Sequence, residues 1–283
     1  MRERGAMMTI DAHTHLFSLD TARYPLANPD SDYQPVLEGS ATLLKQRLDE
    51  AGIDRALTIT TGFYGWDNSY AMDQLKGNES WLAVGVLVDP ASKEAPRALD
   101  SLVAQGACGL RIQRHLFYHQ ALDDSVSTPL WRKAADLDLT VDINATVEEY
   151  DSVRRRVQEF PDTRFVLDHC GYVSGALRPE LNTVKPALDL ARFPNVYAKI
   201  TFLPLASETA YPFKDVHWMA SELMNGFGAE RCLFGTNYPA EQYSPNASMK
   251  NMAELFRNHL DMTVEQRRLV MGGTAARLWR WGS

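Results

Sequence analysis

Eight short runs of aliphatic and β-branched residues punctuate this chain, and nearly every one is followed by an amphipathic segment. This alternation is the strongest constraint on the fold. Parallel strands need a crossover of a dozen or more residues between them, and a helix is the usual crossover. The runs are Met8–His15, Ala56–Thr61, Trp81–Val88, Gly109–Gln113, Leu139–Asn144, Arg164–His169, Val196–Phe202 and Cys232–Thr236. Between them lie predicted helices at Ala41–Ala51, Pro96–Gln105, Pro129–Leu137, Val147–Phe160, Val184–Ala191, Val216–Phe227 and Ala247–Leu260. In Val147–Phe160 the apolar positions Val147, Tyr150, Val153, Val157 and Phe160 recur every three or four residues, which marks one buried helical stripe.

Eight strands with following helices predict an α/β fold, a (β/α)₈ TIM-type barrel built from residues 1–283 as one domain. A doubly wound open sheet is the competing architecture. It uses fewer strands and a glycine-rich first turn, whereas the first turn here, HTHLFSLD, has no glycine. Tyr24–Ser40 reads as a long loop after the first strand, Gly171–Asn182 as a loop after the sixth, and the segment from Thr263 as a terminal helical cap.

The formal net charge of −7 repels a polyanion, which argues against nucleic acid as a partner. Cys108, Cys170 and Cys232 are widely spaced and form no CxxC pair, as expected in a reducing compartment. MRERGAMMTI lacks the apolar stretch of a signal peptide, and no run approaches the roughly 20 apolar residues of a membrane helix. The expectation is a soluble cytoplasmic protein with no membrane partner. The oligomeric state is open, a homo-oligomer included.

Three segments carry chemistry. In Ile10-Asp11-Ala12-His13-Thr14-His15, strand alternation predicts that His13, His15 and Asp11 share one face. Two imidazoles at the end of a first barrel strand can bind a divalent ion or hydrogen-bond a carbonyl, although two polar residues capping a strand would look the same. In Phe165-Val166-Leu167-Asp168-His169-Cys170-Gly171 a strand delivers His169 to the barrel mouth, while Asp168 is predicted to point away from the axis and orient a neighbour. Cys170 reads as a small packing residue. Cys232-Leu233-Phe234-Gly235-Thr236-Asn237-Tyr238-Pro239 ends a strand before a proline.

Around these segments, Arg111 offers a planar fork suited to a carboxylate, and Arg114 is either a second anchor or a surface cation. Lys199 either reaches the mouth, where its charge would help an oxyanion, or snorkels outward. Tyr64, Trp66, Tyr172 and Tyr238 either form an aromatic wall to a pocket or pack loops onto the rim.

In this order and spacing, IDAHTHLF, LDHCG and FGTNYP resemble the amidohydrolase-related (amidohydrolase 2) family over essentially the whole chain. The resemblance is to its lactonase-like branch, which includes 2-pyrone-4,6-dicarboxylate lactonase and the sugar-acid lactonases. It implies a distorted barrel and hydrolysis of an ester-like bond, with a carboxylate-bearing lactone as small-molecule, anionic substrate. It also implies first-strand roles for His13 and His15, a sixth-strand role for His169 and a carboxylate grip by Arg111.

Two departures matter. The family's eighth-strand aspartate, a general base, is replaced by Asn237, which has no useful proton affinity. Glu241, four residues on, either substitutes as base or is a solvated loop carboxylate. The fifth strand carries Asp142-Ile143-Asn144 where many binuclear members have a histidine, which disfavours a binuclear centre. One divalent ion, zinc or manganese, on His13, His15 and His169 is one reading, and metal-independent activity is the other. Arginine follows the sixth-strand motif in pyrone-dicarboxylate lactonases, whereas Tyr172 follows it here, which argues against the identical substrate. The competing functions are a decarboxylase on the same barrel, a metal-dependent nuclease and a ligand-binding member without catalysis.

Overall fold

The computed structural model describes residues 8–31, 34–113, 122–172, 184–201, 203–242 and 247–281. Eight parallel strands follow one another in chain order: β1 (Ile10–Thr14), β2 (Arg55–Ile59), β3 (Leu82–Leu87), β4 (Gly109–Gln113), β5 (Thr140–Asn144), β6 (Arg164–Leu167), β7 (Val196–Ile200) and β8 (Cys232–Phe234). The sheet curls until its ends meet. At the seam Thr14 bridges Tyr238 in parallel, His15 N–H donates to the Tyr238 carbonyl (2.7 Å), and Asn237 N–H donates to the His13 carbonyl (2.8 Å). The fold is a TIM barrel, as the alternation predicts.

The principal helices are α1 (Ala41–Ala51), α2 (Ser69–Leu75), α3 (Ala95–Ala104), α4 (Thr128–Asp136), α5 (Tyr150–Glu159), α6 (Lys185–Leu190), α7 (His217–Phe227), α8 (Met249–Glu254) and α9 (Thr274–Leu278). Local chemistry sets their ends. Ser40 caps α1 by accepting from Leu43 N–H, and Gly52, at φ 65°, closes it in the left-handed conformation that costs glycine nothing. A capping box between Thr146 and Glu149 starts a 3₁₀ turn that leads into α5. The buried stripe therefore begins at Tyr150, and Val147 is exposed. The predicted Ala247–Leu260 helix divides into α8 and a π-helical turn, Leu255–His259. Helix α2 escaped the sequence reading because seven residues are too few to display a period.

Two apolar layers follow from strand alternation. Val84, Leu110, Val141, Phe165, Val196 and Phe234 face outward and pack on the helices. Ile10, Ala12, Leu57, Ile59, Ala83, Val166 and Leu233 face inward, where the C-terminal residues Leu278 and Trp279 meet them. Thr140 Oγ1 donates to the Leu278 carbonyl (2.7 Å), and a Cβ on Gly109 would stand 3.1 Å from the Trp279 indole nitrogen. The terminal cap is thus a floor closing the N-terminal end of the barrel. Among the described residues no helix is long and apolar enough to cross a membrane.

All three cysteines are buried and unpaired. Burial pushes the Cys108 thiol up to about 12 and the Cys170 and Cys232 thiols above their ordinary value as well. Iodoacetamide at pH 8 is therefore expected to label none of them in the native protein and all three in denaturant, as read by intact mass. Rapid labelling of the folded chain would contradict this packing.

Candidate active site and metal set

Register decides which side chains reach the axis. Arg111 pairs with Asp142, Asp142 with Val166, and Lys199 with Leu233. In-register neighbours in a sheet share a face, and Val166 and Leu233 belong to the inner layer. Arg111, Asp142 and Lys199 therefore point inward, and so does Asp168, two residues beyond Val166. This corrects the expectation that Asp168 faces away from the axis. That expectation assumed His169 to be the inward member of an unbroken strand. The strand instead ends at Leu167, and His169 and Cys170 adopt φ of 56° and 55°. This left-handed step, costing about 1–3 kcal/mol per residue, brings His169 to the same site as Asp168.

The first strand departs from alternation too. Its pairing with β2 shifts register between Asp11 and Thr14, which separates Asp11 from the two histidines. Asp11 turns to the seam instead: its carboxylate accepts from Thr236 N–H (3.0 Å), Thr236 Oγ1 (2.5 Å) and His13 N–H (3.1 Å). Gly235 makes this approach possible, because a Cβ there would lie 2.7 Å from His13 Cβ and 2.8 Å from Thr201 Cγ2.

The three imidazoles meet at the mouth, all buried. The His13 ring lies 4.8 Å from the His15 ring and 4.5 Å from the His169 ring. His15 Nδ1 donates to the Ile59 carbonyl (2.8 Å), so its Nε2 bears the lone pair. That Nε2 lies 3.2 Å from His13 Nε2 and 3.2 Å from Asn237 Oδ1. His169 Nδ1 lies 2.5 Å from Thr201 Oγ1. Burial drives the His15 pKa down to about 4 and those of His13 and His169 well below the usual value. All three rings are neutral at pH 7, the state in which imidazole binds a metal.

Beneath the rings lies a fully buried ion cluster. Lys199 Nζ bonds the Asp142 carboxylate, stands 3.1 Å from Asp168 Oδ1 and lies 3.3 Å from His13 Nδ1. Arg111 Nε donates to Asp168 Oδ2 (3.1 Å), and Nη1 reaches the Thr60 carbonyl and Gln113 Oε1, each at 3.3 Å. Asp168 Oδ1 also lies 3.4 Å from His13 Nδ1. The ions balance as two carboxylates against two cations. Near 3 Å and at an effective dielectric of about 20, one such attraction is on the order of 5 kcal/mol, comparable to the several kcal/mol each ion loses on desolvation. The cluster adds little net stability, yet removing one member would cost about 3–5 kcal/mol.

This donor set fits one divalent ion. The lone pair of His15 Nε2 faces Asn237 Oδ1 and His13 Nε2, each at 3.2 Å, a meeting of acceptors that a proton or cation between the atoms relieves. Two nitrogens on a tetrahedral zinc stand about 3.3 Å apart, given bonds of about 2.0–2.1 Å. The ligand atoms of His13, Asp168 and His169 also lie within 4.8 Å of one another, a second grouping able to hold a metal.

Other predicted site residues sit elsewhere. The Tyr64 hydroxyl accepts from Ser18 N–H (2.7 Å) and donates to the Ser18 carbonyl (3.2 Å), fastening the loop after β1. Glu241 is half-buried in the turn Ala240–Gln242, where its charge acts on Tyr238 and Arg47. Among the described residues no hydrogen bond ties it to the imidazoles. Arg114 lies outside the described residues, as does the side chain of Tyr172. Sequence reasoning missed Asp142, Thr201 and Gly235 as site builders. The strand positions of Asp142 and Thr201 were the available signal, but their facing needed the register.

The His15 assignment predicts a ¹⁵N NMR signature. The ring should show the neutral Nδ1–H tautomer at pH 7 and gain charge only as the pH falls toward about 4. A midpoint near 6.5 would refute the buried, carbonyl-anchored ring.

A family model described as Amidohydrolase (Amidohydro_2) matches residues 10–281. A 4-sulfomuconolactone hydrolase from Hydrogenophaga intermedia is 25% identical over 281 residues, covering 95% of this chain and 88% of that protein. Two solved structures share the fold. One, described as a probable 2-pyrone-4,6-dicarboxylic acid hydrolase from Acinetobacter baumannii with citric acid bound, superposes with a TM-score of 0.79 at 18% identity, covering 96% of this chain and 99% of that one. The other, an amidohydrolase from Burkholderia multivorans with bound zinc, gives 0.74 at 20% identity, covering 96% and 98%. With nearly its whole length matched, the chain belongs to the amidohydrolase family.

Proposed function

We propose that this protein hydrolyses a lactone that carries an anionic group, by attack of water on the ring carbonyl at the barrel mouth. The observation that carries the reading is the convergence of His13 Nε2, His15 Nε2 and Asn237 Oδ1 beside a buried arginine. Arg111 uses Nε on Asp168 and Nη1 on Thr60 and Gln113. Among the described residues its Nη2 makes no hydrogen bond, which leaves donors for a substrate carboxylate. The relative from Hydrogenophaga acts on a sulfonated lactone and the Acinetobacter structure holds citrate, both in keeping with an anionic substrate.

His13, His15 and Asn237 would hold the divalent ion, zinc or manganese; bound there, it would polarise the lactone carbonyl. Asn237 cannot take a proton, and among the described residues no hydrogen bond joins Glu241 to the rings. His169 is the remaining group able to accept the proton of water: burial holds its pKa well below the usual value, so it is neutral at working pH, and the adjacent Asp168 carboxylate opposes that shift. Thr201 orients that ring. Asp168 and Arg111 form one unit, so the anchor for substrate and the charge beside the base are held at fixed separation. We also propose that residues 1–283 act as one domain.

The test is a panel of carboxylate-bearing and neutral lactones followed with a pH indicator. His169→Asn and His13→Ala are expected to lower kcat by about 10²–10⁴-fold with the circular-dichroism melt retained. Arg111→Lys keeps the charge beside Asp168 but loses the fork, and should raise KM about tenfold for carboxylate-bearing lactones alone. A silent panel would overturn the lactonase reading, and full activity in both histidine variants would overturn the site.

A further inference from the structure

The place among Asp142, Asp168 and His13 is already filled by a cation. Lys199 is completely buried. Its ammonium bonds Asp142, pairs with Asp168 at 3.1 Å, approaches His13 Nδ1 at 3.3 Å and stands 5.4 Å above the centre of the Trp279 ring. An aromatic face below and two carboxylates and an imidazole around it make a built seat for a cation with little bound water. The same seat has the donors of a metal site: the Asp142 Oδ2 atom is buried with no hydrogen-bond partner, and Asp168 Oδ1 meets the ammonium as an ion pair outside hydrogen-bond geometry. Two members of the seat, His13 and Asp168, also belong with His169 to an overlapping group compact enough to ligate an ion. Two cations cannot share this space: a divalent ion on Asp168 or Asp142 would stand in contact with the ammonium.

We propose that Lys199 is the resident cation of the site and that its ammonium excludes a metal ion from the seat formed by Asp142, Asp168 and His13. The protein then accepts at most one exchangeable ion, at the His13–His15–Asn237 set above it. Three neutral ligands hold that ion, with the carboxylate charge beneath them already spent on Lys199 and Arg111. The inference shares the metal set of the proposed function but does not depend on the lactone assignment, because its readout is stoichiometry rather than turnover.

The full-length protein is stripped with chelator and titrated with Zn²⁺ and separately with Co²⁺. Bound metal per chain is measured by elemental analysis after desalting, and Co²⁺ coordination by its visible absorption. Wild type is expected to bind no more than about one equivalent. Lys199→Met is expected to bind about one equivalent more, with a new Co²⁺ band, whereas Lys199→Arg, which keeps a permanent cation, should match wild type. Circular dichroism establishes that each variant is folded, and Lys199→Gln replaces the methionine variant if that chain does not fold. Two equivalents bound by wild type would overturn the proposal on the unmodified protein. Unchanged stoichiometry in the folded methionine or glutamine variant would overturn it as well.

Discussion

Charge neutrality inside a closed barrel is the constraint around which this site is organised. Asp142, Asp168, Arg111 and Lys199 lie within the sheet's cylinder, almost wholly removed from solvent. An unmatched charge there would cost more than most mutations remove from a domain's whole stability. Each carboxylate of the cluster therefore touches a cation; β4, β5 and β7 contribute one member each, and Asp168 follows directly on β6. The pairing holds four neighbouring strands at one height and gives the rings above them a floor of fixed electrostatics.

The imidazoles inherit their chemistry from that floor and from the backbone. Burial removes their charge, and the Ile59 carbonyl determines which nitrogen of His15 faces the mouth. His13 has two possible partners at Nδ1, the Asp168 carboxylate at 3.4 Å and the Lys199 ammonium at 3.3 Å. The first leaves Nε2 with a lone pair for a metal, and the second leaves it with a proton to give His15. A single ring can thus serve a metal-loaded and a metal-free site by exchange of tautomer. The asparagine just beyond β8 is consistent with this balance: it supplies an oxygen without adding another negative charge beside Asp142 and Asp168.

Much of this was legible in the chain before any coordinates. The alternation of strands and helices carried the barrel, and His13, His15, His169, Arg111 and Lys199 were all recognisable as inward candidates from their places at strand ends. What escaped was whatever depends on phase. A register shift in β1 detached Asp11 from the histidine pair, and a left-handed step at His169 allowed Asp168 and His169 to enter the same space. Neither leaves a mark on residue spacing. Glu241 looked near Asn237 in sequence, but its charge acts on Tyr238 and Arg47, and among the described residues no hydrogen bond joins it to the imidazoles. Asp142 was read only as a missing histidine, because its role depends on a lysine 57 positions away.

The Trp279 floor has a consequence for how water is kept from the charges above it. The indole beneath Lys199 meets side chains of the first strand in the inner core, so two segments far apart in sequence close the barrel together. The charged interior is therefore sealed at its lower end by a contact that exists only once the first strand and the segment after α9 have come together. The electrostatics of the mouth thus depend on an apolar plug at the opposite end of the cylinder, where a smaller side chain would let water in beneath Lys199.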